Sequence, residues 1–284
     1  MSKPFNKIFS ENIRSLFKKQ SGIDVVNISW WKGKNGKNWG DALNPVLAEI
    51  LSGKKIKYIP ITDRSDTFRI YMIGSILGAV ASANCVVWGS GLIEPQKLKV
   101  IPRKILAVRG PLTRNVLMEQ HIECPEIYGD PALLYPRFYK PKIDKKYKVG
   151  IIPHYVDANN LWIKKHKDNK DILVINILDP LNTFVDNILS CECILSSSLH
   201  GIIAADAYGI PSLWIEFSNK VIGDGFKFKD YFASVCRDEN TAIQIKPDTN
   251  IDVIIGNIRD YKINIDLEKL YRANPFFQLH NLKN

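Results

Sequence analysis

The sequence predicts an α/β protein with parallel strands, and three observations carry that prediction. Short apolar runs alternate with helical stretches. Most of those runs end in a turn marked by glycine, proline or serine, and polar side chains gather at those turns rather than within the runs. With 284 residues, 45% of them hydrophobic, the chain can bury one large core or two ordinary ones. A net charge of +10 suits acidic ligands, whether nucleic acid, phosphorylated metabolites or an anionic membrane face. Five cysteines without paired CxxC spacing argue against a disulfide framework or a structural zinc site. Cys191 and Cys193 fall on the same side of a strand as reduced, partly buried thiols. No apolar run approaches about 18 residues, and the N-terminus lacks the apolar block of a secretory signal. A cytoplasmic location is expected.

In order, residues 3–19 place Phe5, Ile8, Phe9, Ile13, Leu16 and Phe17 at helical spacing opposite Lys3, Lys7, Arg14 and Lys18. This basic amphipathic helix either docks on its own domain, the favoured reading, or lies on an anionic membrane. A strand over 24–29 precedes a basic Gly/Asn/Lys loop over 32–40. Asp41 then reads as the cap of a helix ending at Gly53, with Pro45 in its first turn. In open α/β sheets, side chains after a strand also bind ligands, so Asn38, Gly40 and Asp41 are candidate site residues too.

Strands over 68–73, 86–88 and 105–108 follow. Neither GSILG nor GSGL supplies a GxGxxG fingerprint, and there is no GxxxxGK[ST], so dinucleotide and P-loop chemistry are unsupported. Arg109 stands where a strand becomes a helix, just before Gly110 and Pro111. Its position divides it equally between an anion ligand and an internal salt bridge. Asp130 lies in the turn GDPALLYP, and the charged passage after Pro136 suits a linker between domains 1–140 and 141–284.

The second half opens with a strand over 149–152 that ends at His154, then a strand over 172–177 and a helix containing Phe184, Val185, Ile188 and Leu189. The stretch LSSSLHGIIAADAY follows. Its strand ends at Leu195, a turn spans 196–201, and a helix carries Ile202, Ile203, Ala205 and Tyr208 on one face. That turn sets Ser197, Ser198, His200 and free helix N–H groups at a sheet edge, an arrangement suited to an anion. A strand over 212–215, a Gly/Lys/aromatic stretch and a helix from about residue 230 come next. The tail adds IQIK, the segment 251–259 and a helix near 267–271.

With WGDALNP, AVRGPLTR, YGDPALLYP, IIPHYVD and SSSLHGIIAADAYGIP in order, the chain resembles the polysaccharide pyruvyl transferase family over roughly 25–235. The resemblance implies two Rossmann-like domains facing a central cleft, as in GT-B glycosyltransferases. It also implies phosphoenolpyruvate as donor and a sugar hydroxyl pair of a cell-surface glycan, or of its lipid-linked precursor, as acceptor. By position, Arg109 and His200 are its catalytic residues. Asn38, Gly40, Asp41, Ser198 and Leu199 match its substrate-binding positions, and Asp130, His154, Ser197 and Gly201 join them as substrate-binding candidates from their own places in turns at strand ends. Some members carry arginine immediately before the Leu-His pair, where this chain has Ser198. Either Arg109, Lys220 or another basic residue then meets the donor, or the donor differs.

His200 suits acid/base work because an imidazole ordinarily titrates near 6.5. This scheme requires no metal or other cofactor, and nucleic acid is not an expected partner. Two other readings stay open: a GT-B-type glycosyltransferase using a nucleotide sugar, and a non-catalytic glycan-binding protein stacking sugars on Trp30, Trp31 and Trp39.

Overall fold

A computed structural model of the protein describes residues 25–33, 38–218, 222–239 and 241–278. The helix expected over 3–19 and Lys220 lie outside the described residues. The architecture is α/β, with two five-stranded sheets whose strands are all parallel. The first sheet contains β1 (Val25–Ser29), β2 (Lys55–Tyr58), β3 (Arg69–Tyr71), β4 (Cys85–Trp88) and β5 (Lys104–Ala107), in the order β2-β1-β3-β4-β5. The second contains β6 (Tyr147–Ile152), β7 (Ile172–Val174), β8 (Cys191–Ser196), β9 (Ser212–Glu216) and β10 (Ile243–Gln244), in the order β10-β9-β8-β6-β7.

Read from its own first strand, each sheet has the same order, 2-1-3-4-5, and in each the chain reverses direction between its first and third strands. Open parallel sheets bind ligands outside the carboxyl ends of strands at such a reversal. The segments after β1, β3, β6 and β8 therefore lie at these reversals.

Helix α1 (Trp39–Ser52) follows β1 and starts earlier than expected. Its cap is Asn38, whose side chain accepts the Gly40 N–H, so Asp41 sits in the first turn and does not cap it. Trp39, Leu43, Leu47, Ala48 and Leu51 recur at helical spacing and bury the core face. Gly53 closes the helix in the left-handed conformation.

Pro45 lies beyond the first turn and leaves the Asp41 carbonyl without its helical N–H. Asn44 donates to that carbonyl at 3.2 Å and exchanges hydrogen bonds with the backbone of Ile73, which ties α1 to the end of β3.

Helix α2 (Pro111–Met118) follows β5. The second sheet carries α3 (Leu161–His166), α4 (Leu181–Leu189), α5 (Leu199–Ala207) and α6 (Phe226–Ser234), with α7 (Ile251–Ile255) after β10. Two boundaries in this half also differ from the sequence reading. Helix α5 begins at Leu199, so His200 and Gly201 occupy its first turn and the connection from β8 is two residues long. From Leu199 to Asp206 every residue is buried, because this helix packs on all sides where the sequence suggested one apolar face. Helix α6 begins at residue 226, directly after the left-handed Gly225, earlier than expected.

One apolar cluster runs through both sheets. Trp39 packs its ring against Phe184 and Tyr135 and donates its indole N–H to the Leu181 carbonyl. Trp30 is also core, edge-on to Tyr58, whereas Trp31 is exposed. Three tryptophans in a row of sugar-stacking platforms are therefore not what the fold presents. The final helix α8 (Leu267–Arg272) returns to the first sheet, where Trp88 donates its indole N–H to the Leu270 carbonyl. All five cysteines are free thiols, with Cys191 and Cys193 buried beside the exposed Glu192. No helix among the described residues is long and apolar enough to cross a membrane.

The two halves are also joined by a buried ion pair. Arg109, after β5, meets the Asp230 carboxylate of α6 at 2.9 Å, and both side chains are excluded from solvent. That carboxylate also accepts the Thr113 N–H at 2.8 Å and hydroxyl at 2.7 Å. Asp230→Ala should strand the guanidinium without its counter-charge and cost about 3–5 kcal/mol in urea unfolding. Removing the lysine of the exposed Lys148–Asp171 pair should leave the unfolding midpoint nearly unchanged.

Candidate functional site

The carboxyl ends of the two sheets meet at His200. Its Nδ1 lies 2.9 Å from Asn38 Oδ1. The same oxygen accepts the Gly40 N–H, which identifies it as the oxygen of the amide, so Nδ1 carries the hydrogen and donates. In the neutral ring the lone pair is then on Nε2. This atom is buried, lies 4.0 Å from Asp130 Oδ2 and has no hydrogen-bond partner among the described residues.

Gly40 explains why the approach is so close. A Cβ there would come within 2.3 Å of the imidazole, so the ring rests directly on the backbone of the first turn of α1. Gly201 serves packing instead, because a Cβ would sit 2.3 Å from Ser196 Oγ.

Burial sets the charge states. Desolvation, reinforced by the charges of Lys227, Arg109 and His154, pushes the His200 imidazole down to about 3. The sequence-based ground for acid/base work, a group poised near 6.5, is thereby corrected: His200 is neutral at physiological pH and offers a base. Asp41 is pushed up to about 8 by burial and by the neighbouring Asp130, with Lys227 opposing. Asp130 is pushed up to about 7 by burial, against the Ala132 and Gly74 N–H groups and Arg109. Two carboxyl groups able to hold protons at neutral pH thus flank a neutral imidazole. Such separation of titrating groups is what acid/base chemistry uses.

The other predicted residues divide clearly. His154 caps the short 3₁₀ turn Tyr155–Asp157, and burial with Lys227 nearby lowers its imidazole to about 4. Its backbone N–H donates to Ser197 Oγ at 2.8 Å, so Ser197 ties the ends of β6 and β8 together. Ser198 is buried in the cap position of α5, and Leu199 belongs to the core.

Arg109 resolves to the internal salt bridge. Its Nε and Nη2 engage Asp230, Nη1 donates to Ser75 Oγ at 2.5 Å, and Nη2 also donates to the Leu92 carbonyl at 2.6 Å. It acts on the site through its field and its packing.

Three contributors escaped the sequence reading. Asn44 is one, hidden as an interior helix residue. Asp230 is another, since its partner lies 121 residues away. Lys227 is the third, a half-buried ammonium in the first turn of α6. Burial and the neighbouring Arg109 lower it to about 8, with Asp41 opposing. The Gly223 and Gly225 pair ahead of a Phe/Tyr-spaced run was the available signal for an earlier helix start.

Gly40→Ala should displace the imidazole into solvent, and NMR titration of the His200 ring should then give a pKa moving from about 3 toward the ordinary value. Asp41 has a raised folded-state pKa, so its carboxyl favours the fold at low pH, and that contribution is lost as pH rises through about 8. Asp41→Asn should therefore gain more thermal stability relative to wild type at about pH 9 than at about pH 4.

The polysaccharide pyruvyl transferase family matches residues 38–219. An uncharacterised protein of Acanthamoeba polyphaga mimivirus is 33% identical over 206 residues, covering 69% of this chain and 70% of that protein. The succinoglycan biosynthesis protein ExoV of Rhizobium meliloti is 28% identical over 216 residues, covering 71% of this chain and 62% of ExoV. A solved structure of an uncharacterised Klebsiella pneumoniae protein aligns with 86% of this chain and 100% of its own at 12% identity and a TM-score of 0.44.

Proposed function

The chain belongs to the polysaccharide pyruvyl transferase family, and from that premise we propose that it forms a pyruvate ketal on a glycan hydroxyl pair with phosphoenolpyruvate as donor. The observation that carries this reading is the neutral His200 imidazole, with Nδ1 held by Asn38 and Nε2 unpartnered near Asp130, between carboxyl groups that keep their protons. The repeated 2-1-3-4-5 strand order supports two Rossmann-like domains in a GT-B-like arrangement, divided near residue 140. The name of ExoV supports a polysaccharide acceptor.

Chemically, the donor double bond takes a proton on its methylene carbon, which becomes a methyl group, and the adjacent carbon becomes electrophilic. Asp41, protonated at neutral pH, is the acid in this scheme. One sugar hydroxyl adds to the electrophilic carbon and gives its proton to His200 Nε2. The second hydroxyl closes the ring as the C–O bond to phosphate breaks, and its proton leaves with the phosphate. Return of the proton from His200 to Asp41 resets the enzyme, and the sum is donor plus diol giving ketal plus inorganic phosphate, with no change in oxidation state. In this scheme the Leu199 and His200 N–H groups, in the first turn of α5, stabilise the anion.

Incubation with phosphoenolpyruvate and a panel of glycans, read by mass spectrometry, should show the ketal mass increment. A hexose increment from a nucleotide sugar would overturn the reading. His200→Ala should lower kcat by about 10²–10⁴ with the fold retained, and unchanged turnover would remove its role. The wild-type rate should hold to well below pH 6.5, because His200 stays neutral there, and should fall above about 7–8 as the Asp130–Asp41 pair loses its protons.

A further inference from the structure

Helix α3 presents an unusual face to solvent. A surface helix ordinarily buries its apolar residues and exposes polar ones. Trp162 and Ile163 do pack inward, and the Trp162 indole donates to the Thr249 carbonyl at 2.8 Å. The outward row instead begins with Leu161, 74% exposed, followed three and four residues later by the exposed Lys164 and Lys165. Side chains at that spacing share one face of a helix.

Leu161 does not stand alone. The segment before α3 folds through a tight turn in which the Asn160 N–H donates to the Asp157 carbonyl at 2.9 Å. Val156 and Leu161 flank this turn and Tyr155 precedes it, and both Val156 and Tyr155 are exposed. The turn is braced from both sides. The Asn160 side chain accepts the Trp162 N–H at 2.8 Å, and the Asp157 carboxylate accepts the Ser218 hydroxyl at 2.6 Å. Three exposed apolar side chains gathered on a braced turn differ from the single ones that any surface shows.

Positive charge surrounds this tip. Lys164, Lys165, Lys167 and Lys170 are exposed, and none of them is ion-paired among the described residues. Of the nearby acids, Asp171 is taken up by Lys148 at 2.7 Å, which leaves Asp168 on this segment and Asp252 on α7. Tyr155, Asn159, Lys167 and Lys170 line one cavity of about 750 Å³, so the turn and these lysines open on the same side of the molecule.

We propose that this turn docks the protein on an anionic lipid bilayer, with Tyr155, Val156 and Leu161 entering the acyl boundary and the lysines meeting the headgroups. An apolar tip in a basic collar is the complement of such a surface. A protein partner fits it poorly, because three side chains on one turn fall far short of the roughly 800 Å² that each partner buries in a stable interface. The surface does not involve residues 3–19. It adjoins the candidate site without belonging to it: the Tyr155 ring lies 4.3 Å from the ring of His154, whose N–H is tied to Ser197 at the end of β8. Docking therefore brings the carboxyl ends of the second sheet to the bilayer, within reach of a lipid-linked acceptor. That use rests on the function proposed above, but the docking itself does not depend on turnover.

Sedimentation of the full chain with vesicles tests the docking. Wild type should bind vesicles of phosphatidylglycerol and phosphatidylcholine in equal parts, bind pure phosphatidylcholine weakly, and be released by added salt. Val156→Ser with Leu161→Ser should weaken binding to the mixed vesicles about tenfold or more, and Lys164→Gln with Lys165→Gln should do the same. Circular dichroism should show both double variants folded, since all four side chains are exposed. In pyruvyl transfer, each should lose rate on a lipid-linked acceptor in vesicles and keep it on a soluble glycan. A wild type that ignores the anionic vesicles, or either double variant binding them as wild type does, would overturn the proposal. So would a dimer that the serine variant dissociates in a protein without vesicle binding, which would give the turn to a second copy. Vesicle binding that depends on both sets of residues, in a protein transferring no pyruvate, would uphold the docking surface and sink only the choice of reaction.

Discussion

The buried pair of Arg109 and Asp230 is the constraint on which the rest of the site depends. A guanidinium and a carboxylate lose their hydration on burial, and only a well-made set of partners offsets that cost. Here the set is drawn from across the molecule: Thr113 from the start of α2, Ser75 after β3, and the Leu92 carbonyl after β4. Because the ion pair is satisfied only when α6 lies against α2, it fixes the relation between the two halves where their strand ends meet. Lys227, Asp41, Asp130 and His200 keep their mutual geometry as a consequence.

That geometry sets protonation states through burial. In water, His200 would be partly protonated near neutrality, and both aspartates would be ionised. Excluding water inverts all three states: the imidazole is neutral and the carboxyl groups retain protons. Asn38 then selects the tautomer, and Gly40 lets the ring come close enough for that hydrogen bond. A neutral imidazole and protonated carboxyl groups thus coexist at one pH. The cation that balances them, Lys227, is tuned by the same desolvation and by its neighbours Asp41 and Arg109.

Much of the fold was legible in the chain because its signals are local. Apolar runs such as CVVW and CECIL become strands, and helices α1 and α4 follow the 3.6-residue spacing of their buried faces. Boundaries were less legible where the deciding contact is distant. Asp41 looked like a cap, but Asn38 holds that position while also meeting His200, 162 residues away. Helix α5 is buried on every side, so its spacing carried no directional signal. The position of Arg109 fits a ligand contact and a salt bridge equally, and the partner that decides between them, Asp230, lies 121 residues away.

The sequence by itself determined the alternation of strands and helices, the turns at which polar groups gather, and the ordered motifs that place the chain in its family. Those properties follow from backbone sterics and from the hydrophobic periodicity of neighbouring residues. Only the tertiary structure decided which turns meet, and with that the charge each group carries. It paired Arg109 with Asp230, lowered His200, protonated Asp41 and left Lys227 half-buried in the first turn of α6. The physical reason is that desolvation and Coulomb interaction depend on distance in space, and every decisive partner here lies far away along the chain.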